Sequence, residues 1–351
     1  MILFAVSYSL QNLLPLKPEW IESTYSNGVN LYFRQLQGLL FNPFPFSVAE
    51  VMVVLGVIAL ALWVLFLLVS LVRHPRKSYK VFFKRLGATV LLLATLYSCF
   101  ILFWGLNYQR PSILDTENVL QSTAQLEKLS RLLVNEANTL RKELTTESLR
   151  QGFTPSVFAT YQQDMANLYD QIALAYPSLR GHYSRPKPIA LSIPFSYTGI
   201  VGIYFPFTGE ANINTNEVPF MLPSTMAHEM AHQRGYAKEE DANFIAYLVL
   251  KGSNHLSYRY SGTILALIHA TNRLYQDSPE AYQRVRALYS QELIDDLQYS
   301  NAYWQPYRGK VEEKATQMND NYLKSNRQSD GVVSYSLMIK LLLAYYEEEL
   351  R

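Results

Sequence analysis

The chain has 351 residues, a formal net charge of +2 and one cysteine. So small a net charge argues against a nucleic-acid surface, and a lone cysteine excludes a disulfide framework. No P-loop, Gly-rich dinucleotide fingerprint or internal repeat is visible in the sequence, which sets aside nucleotide-dependent and repeat-protein functions.

In chain order, the first feature is the uncharged stretch 1–16. Its polar Ser7, Ser9, Gln11 and Asn12 leave two readings, a short membrane span or an uncleaved signal-like segment, with the short span preferred. Val51–Val72 and Leu86–Gln109 are runs of 22 and 24 residues without a charge. Each is long enough to cross a hydrocarbon core about 30 Å thick. Spans are therefore expected over about 48–72 and 87–107. The segment between them, 73–86, carries Arg73, Arg76, Lys77, Lys80, Lys84 and Arg85 and no acid. Such an excess of cations between spans marks a cytoplasmic loop. Both far ends of the spans, and everything after Gln109, then lie outside the cytoplasm. The expected organisation is a two- or three-span helical anchor over 1–109, in contact with membrane lipid, and an extracytoplasmic domain over 110–351.

Within that domain, the spacing of leucines predicts a helix over Glu117–Leu144, and a second is expected over Pro155–Tyr176. Residues 188–216 change character. Ile189–Ile193, Gly199–Phe205 and Glu210–Asn214 read as short strands punctuated by Gly and Pro. In the last of these, Ala211 and Ile213 share one face and the polar residues the other, the pattern of a half-exposed strand. Asn212 and Asn214 therefore mark a candidate substrate strand, able to receive an extended peptide by strand addition. Helices are expected again over Tyr258–Tyr275, Glu280–Leu297, Tyr303–Tyr322 and Val333–Leu350, with a breaker loop at Lys324–Gly331. The fold class is mainly α with a small β-sheet, an α+β arrangement.

The chemistry is concentrated in His228-Glu229-Met230-Ala231-His232, an HExxH pentad. Pro223 and Ser224-Thr225 mark the start of a helix, and Gly235 its end. On a helix, positions i and i+4 stack on one face, so the two imidazoles can bind one metal ion together. Glu229 follows about 100° further round the helix, where its carboxylate reaches a water at the ion rather than the ion itself. Zn²⁺, two His ligands and Glu229 as general base make up the expected hydrolytic centre.

Catalytic zinc usually takes three protein ligands. The extended HExxHxxGxxH pattern would place a third His at position 238, where this chain has Lys238. The next helix begins there, and its apolar face runs through Phe244, Ile245 and Leu248. Asp241 falls on that face, and a carboxylate turned into a core needs a cationic partner. Asp241 is thus the expected third ligand, with the longer Glu240 as the alternative and Glu239 turned away. The first-turn acids also have a purely structural explanation in the helix dipole. Tyr322 and Tyr335, which flank the breaker loop, are candidate oxyanion donors, with His255 and Arg234 also eligible.

Four blocks carry a family resemblance. They are Trp104-Gly105-Leu106-Asn107-Tyr108, the run Gly202 to Asn212, His228 to Tyr236 with Asp241-Ala242-Asn243-Phe244, and Asp330-Gly331-Val332-Val333-Ser334-Tyr335. Together they resemble a bacterial family of membrane-anchored HExxH proteins catalogued as a domain of unknown function, over nearly the whole chain. The resemblance implies a zincin-like, zinc-peptidase-like domain. Members of that family typically look to have Glu where this chain has Asp241. The acidic-Ala-Asn element is also similar to the third-ligand segment of phage-repressor-cleaving HExxH peptidases. The leading expectation is a membrane-tethered zinc metallopeptidase acting on a peptide or protein substrate outside the cytoplasm. The alternatives are a non-peptidase membrane sensor or assembly factor with a structural or lost metal site, and a zinc hydrolase of cell-wall peptide or amide bonds. An intramembrane protease is disfavoured, because Gln233, Arg234, Lys238, Glu239 and Glu240 crowd the pentad.

Overall fold

The two uncharged runs fold as long helices, Val48–Arg73 and Pro75–Phe103, in a computed structural model that describes residues 2–13, 17–73, 75–119, 121–326, 328 and 335–350. Within them, Val48–Ser70 and Tyr79–Phe103 are long and apolar enough to cross a membrane, and most of their large apolar side chains face outward. The basic segment expected as a loop over 73–86 is instead helical from Pro75 onward. Proline suits the first position of a helix, and no breaker follows it before Gly87. The Arg85 guanidinium lies 4.1 Å over the Phe66 ring and ties the two helices together.

The N-terminal stretch forms a helix, Ile2–Tyr8, continued by a π-helical turn, Ser9–Leu13. At 1.5 Å per residue these rise about 18 Å, short of a bilayer core. The segment lies against the second span, with the Phe4 and Tyr97 rings 5.3 Å apart. Met1 and residues 14–16 of the expected short span fall outside the described residues.

The segment assigned to the anchor before the first span is built into the main body. Arg34 Nη1 donates to Gln233 O at 2.8 Å. Arg110 Nη1 donates to Arg234 O at 2.9 Å, and Arg110 also pairs with Glu22 at 2.5 Å. Across the expected division at 109/110, Arg34 on the anchor side thus holds the end of the pentad helix. Of the polar anchor-side residues, Glu22 and Arg34 find partners across that division, in Arg110 and Gln233, while Asn30 donates to Phe103 O of the second span.

That body has two adjoining apolar cores. Thr123–Glu143, closed by a Ser122–Gln125 capping box, packs Leu126, Leu129, Leu133 and Leu140 against Ile264, Leu267 and Leu274 of Leu256–Asp277. Pro155–Ile172 buries Met165 and Leu168 against Met226 and Met230 of the pentad helix and Ile245 and Val249 of the next. The helix expected over 280–297 splits into Pro279–Arg286 and Gln291–Trp304, because Ser290 caps a fresh start by accepting from Leu293 N. Leu120 lies outside the described residues.

The sheet consists of β1 (Lys187–Pro188), β2 (Gly202–Phe205) and β3 (Glu210–Ile213), in the order β1-β3-β2. β3 runs parallel to β1 and antiparallel to β2, with Gly202 opposite Ile213 and Phe205 opposite Glu210. The expected strand at Ile189–Ile193 gives way to a helical turn at Ser192–Ser196. β3 is not half-exposed as its alternation suggested, for all four of its residues are buried. Its polar face receives the start of the first span. Glu210 accepts from Val48 N and Ala49 N at 3.2 and 2.7 Å, and Ser47 Oγ donates to Asn212 Oδ1 at 2.6 Å. Among the described residues β1 and β2 form the two edges of the sheet.

Candidate metal centre

The pentad helix runs from Leu222 to Gln233, with Pro223 in its first turn. It ends at Gly235, whose φ of +82° is the left-handed conformation that favours glycine. This turn brings the Tyr236 carbonyl back to His232 Nδ1, 2.7 Å away. The other imidazole is fixed by the next helix, Glu239–Lys251, where Asn243 Oδ1 lies 2.8 Å from His228 Nδ1. A backbone carbonyl can only accept, so His232 carries its proton on Nδ1 and turns a bare Nε2 lone pair inward.

The two Nε2 atoms lie 3.1 Å apart. Glu239 joins them, its Oε2 at 3.2 Å from His228 Nε2 and its Oε1 at 3.7 Å from His232 Nε2. Ligand atoms about 2.1 Å from one tetrahedral ion are roughly 3.4 Å from each other. The three separations bracket that value. Lone pairs facing one another at this range repel unless a cation sits between them, and His228, His232 and Glu239 can hold one metal ion.

The charges say the same. Burial pulls the His228 imidazole down, but the hydrogen bond and charge of Glu239 outweigh it and raise it to about 9. Burial takes His232 down to about 4. Burial would raise Glu239, yet the two imidazoles hold it at about 2. With Glu239 ionised, the group favours positive charge at its centre, which a proton on His228 supplies here.

The structure does not bring Asp241 to this centre. Asp241 is buried, as its position on the apolar face required, but its Oδ1 accepts from Ile113 N at 3.0 Å. Burial raises its carboxyl above the ordinary value. Glu240 is buried too, with Gln328 Nε2 at 3.5 Å from its Oε2. The reason is that Glu239–Lys251 is buried on nearly every side, so an apolar face does not mark its inner side. The side that meets the pentad carries Glu239 and Asn243, four residues apart and stacked on one another. Asn243 is the one polar residue between Asp241 and Lys251, and that spacing was the available signal.

Glu229 stands beside the centre, buried, with Oε2 lacking a hydrogen-bond partner among the described residues. The Tyr204 backbone N–H of β2 donates to its carboxylate. Burial pushes the carboxyl up to about 8, opposed by His228 and helped by Glu239. β2 passes directly over it at Gly202. A Cβ there would lie 2.5 Å from Glu229 Oε1 and 2.7 Å from its Cγ. Glycine is needed because the carboxylate occupies that space.

Of the candidate oxyanion donors, Tyr322 is at the site. Its hydroxyl lies 3.0 Å from that of Tyr108, and both feel the Glu239 charge. The Tyr335 side chain lies outside the described residues. His255 is exposed at the start of Leu256–Asp277, beside Tyr258. Arg234 points behind the helix, where it donates to Leu179 O and Met230 O under the Tyr169 ring. Asn212 and Asn214 are internal: Asn212 Nδ2 donates to Ile203 O at 3.1 Å, and Asn214 Nδ2 to Ile200 O at 2.9 Å. Unanticipated neighbours are Trp104 and Tyr204, whose rings pack 6.2 and 6.4 Å from His232. His269 was also missed. Burial and the His228 charge lower it to about 4.

No curated protein and no solved structure matches the chain. A family model described as "Protein of unknown function (DUF3810)" matches residues 25–343, a range that takes in both long apolar helices, the sheet, the pentad and Glu239, and the chain belongs to that family.

Proposed function

We propose that the protein is a membrane-bound zinc metallopeptidase, with His228, His232 and Glu239 as metal ligands and Glu229 as general base. The observation that carries this reading is the convergence of one ligand atom each from His228, His232 and Glu239 within 4.8 Å of one another, beside a buried carboxylate with an unpartnered oxygen. Two imidazoles and a carboxylate suit zinc. Structural zinc sites are usually closed by four protein ligands, often Cys. Among the described residues this group has three and no Cys, which favours an open, catalytic site. A bound zinc would supply Lewis-acid polarisation of a carbonyl and a more acidic water.

The protein's own groups divide the remaining work. Glu229, raised to about 8, is suited to take a proton from water and return it to a leaving amine near neutral pH. The Tyr322 hydroxyl, which accepts from the Tyr108 hydroxyl, keeps its own proton to donate to a developing oxyanion. β2 is an edge strand that passes directly over Glu229, where an extended peptide can pair with the backbone groups that Glu229 does not take. That edge replaces Asn212 and Asn214 as the candidate substrate strand. The cluster of cations at 73–85 supports a cytoplasmic turn between the spans and an extracytoplasmic site.

The test uses the full chain in lipid nanodiscs, with zinc content and cleavage of an unfolded protein such as casein as readouts. The expected result is about one zinc per chain and hydrolysis that Glu229→Gln lowers by about 100-fold or more while zinc stays bound. Full activity in Glu229→Gln, or wild-type protein that takes up no zinc, would overturn the proposal.

A further inference from the structure

Helices in water-soluble domains turn their apolar arc toward the core. Helix Asn30–Phe41 does the reverse. Its polar residues Asn30, Arg34 and Gln37 are buried, Arg34 and Gln37 being only 2% and 3% exposed. Tyr32 and Leu39 are 75% and 73% exposed, and Val29, Leu36 and Leu40 are exposed with them. At 3.6 residues per turn these five positions fall within an arc of about 100°, opposite the buried polar residues.

The helix is not free to roll this face inward. Arg34 donates to Asn30 Oδ1, Gln233 O and Ser26 O at 2.8, 2.8 and 2.7 Å. Gln37 Nε2 donates to Pro206 O at 2.7 Å. A Cβ at Gly38 would lie 3.1 Å from Tyr183 Cα and Ser184 N, so the helix is pressed against that backbone.

Its level is set by the spans. Phe33 stacks on Phe103 at 4.1 Å, and Asn30 Nδ2 donates to Phe103 O at 2.5 Å. Phe103 is the last residue of the second candidate span. At the other end the exposed Phe44 and Phe46 lead into Val48, where the first span begins. The outward apolar face is therefore continuous with the lipid-facing surface of both spans. A cleft of about 490 Å³, lined in part by Leu36, Leu39, Pro43 and Tyr183, opens beside it.

We propose that Asn30–Phe41 lies in the plane of the membrane interface, with Tyr32, Leu36, Leu39 and Leu40 among lipid headgroups and upper acyl chains. Through Arg34 it then holds the pentad helix at the bilayer surface. This goes beyond the hydrolase reading and does not depend on it. An apolar face with its polar side occupied is the pattern of an in-plane amphipathic helix.

The test places a single environment-sensitive fluorophore at Leu36→Cys or Leu39→Cys in a Cys99→Ser chain, reconstituted in phosphatidylcholine nanodiscs. Glu143→Cys, on an exposed position of Thr123–Glu143, is the aqueous control, and Leu60→Cys in the first span is the deep control. Some lipids carry a spin-label quencher either just below the headgroup or at the bilayer midplane. The expected result is loss of emission at 36 and 39 with the shallow quencher, little loss with the midplane quencher, and none at 143. Quenching at 36 and 39 no greater than at 143 overturns the proposal. So does disulfide formation between copies of the unlabelled Leu39→Cys chain under an added oxidant, without lipid quenching of the labelled chain, which would give the face to a second copy. A thermal midpoint equal to wild type shows that each labelled chain is folded, and no step of the measurement requires zinc or catalysis.

Discussion

Gly202→Ala tests the general base through a residue that performs no chemistry. The added Cβ would lie 2.5 Å from Glu229 Oε1 and 2.9 Å from its Cδ. An ordinary contact of this kind is about 3.5 Å, so the carboxylate must retreat by roughly 1 Å. Glu229 is only 4% exposed, so the displaced carboxylate has little room to move without losing reach. A misplacement of about 1 Å in a reacting group costs on the order of 100-fold in rate, or about 2.7 kcal/mol in the barrier. Gly202 has no positive φ, so alanine does not strain the strand. Glu229 is not one of the three ligands, so zinc content should stay at the wild-type level. The assay is casein cleavage by the full chain in nanodiscs, with elemental analysis of the same samples and Glu229→Gln as the floor. Zinc-loaded Gly202→Ala working within about threefold of wild type would refute the argument that β2 fixes the base.

The remaining predictions address the ligand set, the titration of the core and the arginine clamp. Glu239→Gln should weaken zinc binding by at least about 100-fold in competition with a chromophoric chelator, since even outer-shell changes cost 10- to 100-fold. Asp241→Asn should leave that affinity unchanged; the opposite ranking would restore Asp241 as the ligand. Glu217, buried before the pentad helix, is raised by burial from its ordinary 4.5 to about 7. Below the unfolded value both states are neutral and its contribution is fully present. As pH rises toward 7 the unfolded chain ionises first, so stability falls by up to about 3 kcal/mol and then levels off. Denaturant unfolding at about pH 5 and pH 8 should show this loss in wild type and a smaller one in Glu217→Gln; equal losses would rule it out. Arg34→Met leaves the Gln233 and Ser26 carbonyls without their donor and should cost about 3 kcal/mol or more. A thermal midpoint equal to wild type, measured with zinc in excess, would count against the clamp.

Much of the fold could be read from the sequence because its signals were local. Two uncharged runs, the Ser122–Gln125 box, Pro155 after Thr154, and Pro223 with Gly235 around the pentad each settle a helix by nearest-neighbour physics. The pentad's spacing alone brings together His228 and His232, two of the three residues that could hold a metal ion. The third ligand failed because its argument used amphipathicity on a helix buried all round, where Asp241 is inward but faces Ile113. The polar pair Glu239 and Asn243 was the better guide. The sheet failed for a related reason. Alternation in Glu210–Asn214 was read as one wet face, yet that face meets Ser47, Val48 and Ala49 at the start of a span. A polar residue can be satisfied by another segment as well as by water, and that segment lies some 160 residues away in the chain.

The same ambiguity decides how Asn30–Phe41 should be understood. Its hydropathy pattern is plain in the sequence, but a pattern has no sign: it separates two faces without saying which medium each one meets. In a chain without spans, the economical choice would put Tyr32, Leu36 and Leu39 in the core and Arg34 in water. Here Arg34 is bound to three carbonyl-type acceptors inside the body, and one of them, Gln233 O, ends the pentad helix. Removing that arrangement would leave a buried guanidinium or three unpaired acceptors, a larger penalty than exposing a few apolar side chains to lipid. The apolar face therefore meets a medium in which it is not exposed at all, and Phe33 on Phe103 fixes where that medium begins. The candidate metal centre braced by this helix then sits within reach of chains that emerge from the bilayer, and the depth of positions 36 and 39 is the measurement on which that placement stands.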